Sequence, residues 1–176
     1  MSNRVTKSVE VAANVAIVLV AVLLGVALFK NYLLGGSARA VAPPSGVAAG
    51  TKLSVEGMDW ARNRQTLLLV LSDHCHFCTE SADFYKRLVA DGAAHDGTRL
   101  VALLPQSVAA GRAYLEGLGV AVDDVKQAQP GAVGAEGTPT LILVNDAGEV
   151  TESWVGKLTH EGEEAVLTRL RARDSR

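Results

Sequence analysis

Thr66-Leu67-Leu68-Leu69-Val70-Leu71-Ser72-Asp73-His74-Cys75-His76-Phe77-Cys78-Thr79 is the stretch that decides how this chain of 176 residues folds. Its first half is continuously apolar after Thr66, as a strand buried on both faces should be. Its second half holds the only two cysteines of the sequence, at C-x-x-C spacing. A helical pattern from Phe77 to Ala90 leads out, with Phe77, Phe84, Leu88 and Val89 expected on its inner side. Strand, C-x-x-C, helix is the context in which this motif reads as redox chemistry. Disulfide exchange needs a thiolate near neutral pH, and the N–H groups at a helix start favour that charge. Cys75 is therefore the expected exposed nucleophile. Cys78, one turn further in, is expected to resolve the mixed disulfide. Two other readings are weaker. No second pair exists to complete a four-ligand zinc site, and a structural bridge closing so small a loop removes little unfolded-state entropy.

The histidines on either side of Cys75 invite a further expectation. An imidazolium on His76 or His74 would stabilise the thiolate and make the disulfide more oxidising. His76, inside the first helical turn, is the expected contributor, and Asp73 opposes the effect. The alternative is two solvated loop histidines with little influence on the thiol.

Upstream, Val11 to Phe29 contains no ionisable side chain. As a helix it would span about 28 Å, close to the thickness of a bilayer's hydrocarbon core. The run is longer than a signal-peptide core, and the cleavage-like Ala38-Arg39-Ala40 lies well beyond its end. An uncleaved anchor over 11–30 is expected, after an N-terminal tail of 1–10. Residues 31–50 are small and rich in Pro, Gly and Ser, which is linker composition. The folded domain is expected over 51–176. The first fifty residues carry a net +3, which leaves −5 for the remainder of an overall −2. A domain of that sign lacks the basic footprint of a nucleic-acid binder. Cations flank the apolar run on both sides, so the positive-inside bias is weak. An extracytoplasmic placement at the inner membrane, facing the periplasm, rests on the chemistry, because a stable C-x-x-C disulfide suits an oxidising compartment.

Within the domain, Lys52 to Val55 alternates as an edge strand would, and Trp60 is expected in the core or at a strand edge rather than at the redox site. Arg99 to Leu104 is a second buried strand that Pro105 stops. Ser107 can cap a helix to about Leu118. Val122 to Ala128 is ambiguous, and a loop follows to Gly137. Thr140 to Val144 is a third strand. Asn145-Asp146-Ala147-Gly148 has turn chemistry, and Val150 to Val155 returns antiparallel to it. A last helix follows Thr159, with glutamates early and arginines late, as the helix dipole favours. The order β-α-β-α-β-β-α makes an α/β layer sandwich.

That order, with C-x-x-C after the first central strand and Gly137-Thr138-Pro139-Thr140 before the third, resembles the thioredoxin fold over Thr51 to Arg173. The resemblance implies a three-layer sandwich on a mixed sheet. It also implies a cis peptide bond at Pro139 facing the cysteines, and substrate binding by Thr138, Pro139 and Phe77. The stretch from Gly148 to Leu158 is similar to membrane-anchored, extracytoplasmic thiol-disulfide oxidoreductases that include the cytochrome c maturation reductases. Such a protein would be a monomer. It would need no cofactor beyond the Cys75–Cys78 disulfide. It would meet extracytoplasmic protein thiols and a membrane or periplasmic redox partner.

The sequence departs from the family at several points. His74 stands where the family has Trp, and Phe77 where reductases have Pro. Leu69 stands where thioredoxin buries an aspartate. These changes leave the direction of electron flow open. A rival function uses the same residues: Cys75 and Cys78 with His74 or His76 are ligands suited to copper(I) or zinc, as in a metallochaperone. Thioredoxin-like copper chaperones use C-x-x-x-C with a remote histidine, and neither His95 nor His160 matches that position.

Overall fold

The computed structural model describes residues 18–20, 22, 24, 46–94 and 98–171, without the side chains of 92–94. The expected tail, most of the expected anchor and linker, and His95 lie outside these residues. The chain divides into two units, Met1–Pro43 and Pro44–Arg176. In the first, Val18, Leu19, Val20, Val22 and Leu24 are helical with exposed side chains. Among the described residues no helix is long and apolar enough to cross a membrane.

The second unit is built on five strands. They are β1 (Gln65–Val70), β2 (Thr98–Leu104), β3 (Asp124–Gln127), β4 (Thr140–Asn145) and β5 (Val150–Val155). Four helices accompany them: α1 (His76–Glu80), α2 (Ala82–Ala94), α3 (Val108–Leu118) and α4 (His160–Arg171). The sheet order is β3-β2-β1-β4-β5. β2 runs parallel to β1 and to β3, whereas β4 is antiparallel to β1 and to β5. β1 is central, with Leu69 between Ala102 and Leu141. Every residue of β1 is buried, which is why it reads as an unbroken apolar run rather than an alternation.

Alternate residues of β1 feed two cores. Leu67, Leu69 and Leu71 face Cys78, Phe84, Tyr85 and Leu88 of α1 and α2, Leu115 of α3, and Val166, Leu167 and Leu170 of α4. Leu68 and Val70 face Val47, Leu53, Val133 and Ala135, with Val55, Met58 and Trp60 packed alongside. The long helices thus share one face. The expected third layer is not a long helix but the 47–60 segment and the short turn Pro130–Val133. Trp60 sits on this second face, away from the cysteines, and packs close to Gly148, whose φ of +77° suits glycine.

Four local expectations change. The Lys52–Val55 strand reduces to one bridge, Lys52 with Glu149. The ambiguous Val122–Ala128 stretch contains β3, which adds a strand to the predicted order. The last residues of the expected linker are docked. Val47 is buried, its carbonyl accepts from Ser153 Oγ at 2.9 Å, and Gly50 N–H donates to Val150 O at 2.8 Å. The folded unit therefore reaches back at least to Gly46. Finally, the helix after the cysteines is broken at Ser81 into α1 and α2. Ser81 Oγ donates to the Phe77 carbonyl at 2.8 Å, a back-bond that competes with regular helix geometry.

Candidate active site

The end of β1 delivers the chain into Ser72–His74, and α1 starts at once. Cys75 is its N-cap: the Sγ accepts the Cys78 N–H at 3.2 Å, while the thiol donates to the Thr138 carbonyl at 3.3 Å. The Thr138–Pro139 peptide bond is cis, as the family resemblance implies. The Pro139 carbonyl accepts from Gly156 N–H at 2.8 Å, and Thr140 Oγ1 donates to Gly137 O at 2.8 Å. Both ends of this loop are thereby fixed against the sheet. β1 and β4 are neighbours, so the loop before β4 meets the loop after β1, and residues more than sixty positions apart come together at one sulfur.

The two thiols have opposite environments. Cys75 is half-buried and Cys78 is fully buried. Partial burial pushes the Cys75 thiol up. Hydrogen bonds from the Cys78 and Thr138 side chains and from the backbone of Cys78 and Phe77 outweigh it, so Cys75 lies below the ordinary thiol range. Burial is also the first cause at Cys78, joined there by the hydrogen bond to Cys75 and that residue's charge. Cys78 is pushed up to about 12. Cys75 is thus the more acidic of the two thiols, and Cys78 holds its proton more tightly.

Both histidines are exposed and rest against carboxylates. His74 Nδ1 pairs with Asp73 Oδ1, which also accepts from Gln106 Nε2. His76 Nε2 lies 3.1 Å from Glu80 Oε1, and Lys157 Nζ lies 3.0 Å from Glu80 Oε2. The Lys157 ammonium first, and His76 with it, holds the Glu80 carboxyl below its usual range. Neither imidazole donates to the Cys75 sulfur among the described residues. The groups that lower Cys75 most are the ones around its own sulfur. Among the described residues, no three His, Cys, Asp or Glu side chains are gathered where they could hold a metal ion.

Phe77, between the cysteines, is 54% exposed rather than turned inward with Phe84 and Leu88. It offers an exposed apolar face two residues after Cys75. Residues beneath the cysteines escaped the sequence reading. Tyr85 is buried in the Cys78 core, and Tyr114 of α3 lies 3.2 Å from the Thr79 hydroxyl through its own. Spacing was the available signal, since Tyr85 stands four residues after Ser81 and seven after Cys78. Gln106, just past β2, gave no signal.

No protein-family model matches the sequence, and no curated protein matches it. Solved structures do. A candidate protein disulfide isomerase from Bacteroides thetaiotaomicron aligns at a TM-score of 0.61 and 12% identity, over 76% of this chain and 94% of its own. The thioredoxin domain of a thiol-disulfide oxidoreductase from Bacteroides vulgatus aligns at 0.52 and 13%, over 70% and 98%. A secreted Mycobacterium tuberculosis disulfide oxidoreductase, described as homologous to E. coli DsbE, aligns at 0.51 and 14%, over 71% and 95%. At these identities the likeness is one of fold, and the fold is thioredoxin-like.

Proposed function

We propose that this protein is a membrane-anchored thiol-disulfide oxidoreductase acting on extracytoplasmic protein substrates through Cys75 and Cys78. The observation that carries this reading is the split between the two thiols. An accessible, acidified Cys75 is held at a helix start beside the cis-Pro139 loop, and a buried Cys78 lies within its hydrogen-bonding reach. The Cys75 thiolate attacks one sulfur of a substrate disulfide, and the other sulfur leaves as a thiolate and takes a proton. Cys78, once deprotonated, attacks the Cys75 sulfur of the mixed disulfide. The Cys75–Cys78 bond forms, the substrate's second thiolate departs, and the substrate has gained two electrons that the pair has lost. A dithiol partner in the membrane or periplasm then restores the pair. Run backwards, the same steps oxidise a dithiol substrate. Thr138 and Pro139 would present their backbone to an extended substrate segment, and Phe77 would cover its apolar side chains. His76 and His74, each beside a carboxylate, would tune the thiol only weakly.

Two features support the anchor and its placement. The run Val11–Phe29 is uncharged, and its described helical residues are apolar and exposed. One structural neighbour is described as secreted. The full chain, a monomer in detergent, should catalyse reduction of a protein disulfide by dithiothreitol, and it should stay with membranes through an alkaline carbonate wash. A correctly folded, oxidised chain with no catalysis would remove the enzyme reading, and release by carbonate would remove the anchor. Glutathione equilibration then sets the direction: about −270 mV marks a thioredoxin-like reductant, about −120 mV an oxidant.

A further inference from the structure

Cys78 must become an anion to resolve the mixed disulfide, yet its surroundings oppose that. It is fully buried, Leu69 lies in the same core, and among the described residues no carboxylate is buried. Cys75, at the N-cap of α1, is the charged group that acts on it, and the charge of Cys78 is in turn felt by Tyr85 of α2 and Tyr114 of α3, the latter also feeling Asp73. Of these, Tyr85 is unusual. It is 1% exposed, and its hydroxyl has no hydrogen-bond partner. Ser81 Oγ is a polar neighbour, but it does not stand in hydrogen-bonding geometry to the phenol. Helical side chains lean towards the preceding turn, which aims the Tyr85 ring from α2 back towards α1 and the buried sulfur. The phenol and the Cys78 thiol share one apolar cluster, and charge on Cys78 acts directly on the phenol.

A buried O–H without an acceptor is costly, and a thiolate at Cys78 is the acceptor this core can generate. We propose that Tyr85 is the positioning residue for the resolving step: its hydroxyl, idle while Cys78 is a thiol, donates a hydrogen bond to the Cys78 thiolate as that anion forms. The inference rests on the exchange reading above and adds a residue to it. In the step, the Cys78 proton passes to solvent base and the Cys78 sulfur bonds to the Cys75 sulfur. The Cys75–substrate bond breaks, and the departing thiolate takes a proton from solvent. Tyr85 keeps its own proton throughout.

The test separates the two half-steps. The reduced full chain in detergent, in excess over dithiobis-nitrobenzoate, should release thionitrobenzoate twice. The first release, from attack by Cys75, scales with protein concentration; the second, from attack by Cys78, does not. Tyr85→Phe keeps the ring and removes an unpaired buried polar atom, so its melting temperature should equal or exceed that of the parent. Its second release should slow by about tenfold or more, the scale of a lost hydrogen bond to a charged group, while the first is unchanged. An unchanged second release would overturn the proposal. So would equal slowing of both releases. Absence of the first release from the unaltered chain would instead sink the exchange reading itself.

Discussion

Replacing Cys75 with serine should reduce disulfide exchange to the uncatalysed rate, whereas Cys78→Ser should still attack and then stall. The asymmetry follows from the two environments. Cys75 is the thiol held below the ordinary range and the one that touches Thr138 on the loop that would receive substrate. A serine hydroxyl there is not ionised at neutral pH and does not form a disulfide. Cys78 contributes the resolving sulfur and one hydrogen bond to the Cys75 thiolate. Serine keeps a donor at that position, so attack by Cys75 should slow by no more than about tenfold. The mixed disulfide should then accumulate, because nothing inside the protein can break it. Non-reducing gels of membranes expressing Cys78→Ser should show covalent adducts that disappear with dithiothreitol and are absent from Cys75→Ser. Adducts trapped by Cys75→Ser instead would reverse the roles of the two residues.

The largest effect on stability is expected at Leu69. It is fully buried at the centre of the sheet, in the same core as Cys78. Leu69→Asp removes packed methyl groups and places a carboxyl in a core that holds no buried cation among the described residues. The combined loss should be on the order of 4 kcal/mol at pH 8. The pH dependence has a definite sign. Burial raises the folded-state pKa of the new carboxyl above its unfolded value near 3.9. Stability is therefore retained below about pH 4 and declines as pH climbs through the folded-state pKa. Leu69→Asn has the same shape and no titration. Urea denaturation of the two variants should agree at low pH and diverge as pH rises, with the aspartate variant weaker. Equal stability at pH 8 would mean that the carboxylate finds water or a partner beside Cys78, and that this core is not dry.

The parts of this fold that could be read from sequence are those where one physical signal acts alone. β1 and β2 are buried on both faces and announce themselves as unbroken apolar runs. Ser107 caps α3 by accepting the Ala110 N–H, and Gly119 ends that helix with a φ of +71°. The parts that were hidden depend on partners distant in sequence. β3 is Asp-Val-Lys-Gln, with one buried residue, and is a strand because β2 offers it an edge. Val47 looks like linker among alanines and glycines, and docks because a helix-free face of the sheet is there to receive it. At the site, C-x-x-C and Thr-Pro are local patterns, so the meeting of Cys75 with Cys78 and with Thr138 before a cis Pro139 was legible. The imidazoles of His74 and His76 were placed next to Cys75 correctly in sequence, but their carboxylate partners are set by side-chain geometry. Tyr85 became visible only when the core under the cysteines was assembled.

The central claim is that the half-buried Cys75 sulfur is the acidic one while the fully buried Cys78 holds its proton. Alkylation of the reduced, unaltered chain by iodoacetamide across a range of pH, with each cysteine's modification quantified by peptide mass spectrometry, tests it most directly. Cys75 should be modified first, with a rate that reaches half its maximum below the pH of an ordinary thiol. Cys78, pushed up to about 12, should stay unmodified until the chain is unfolded. Equal modification of the two cysteines, or a Cys75 profile at or above that of an ordinary thiol, would contradict the account.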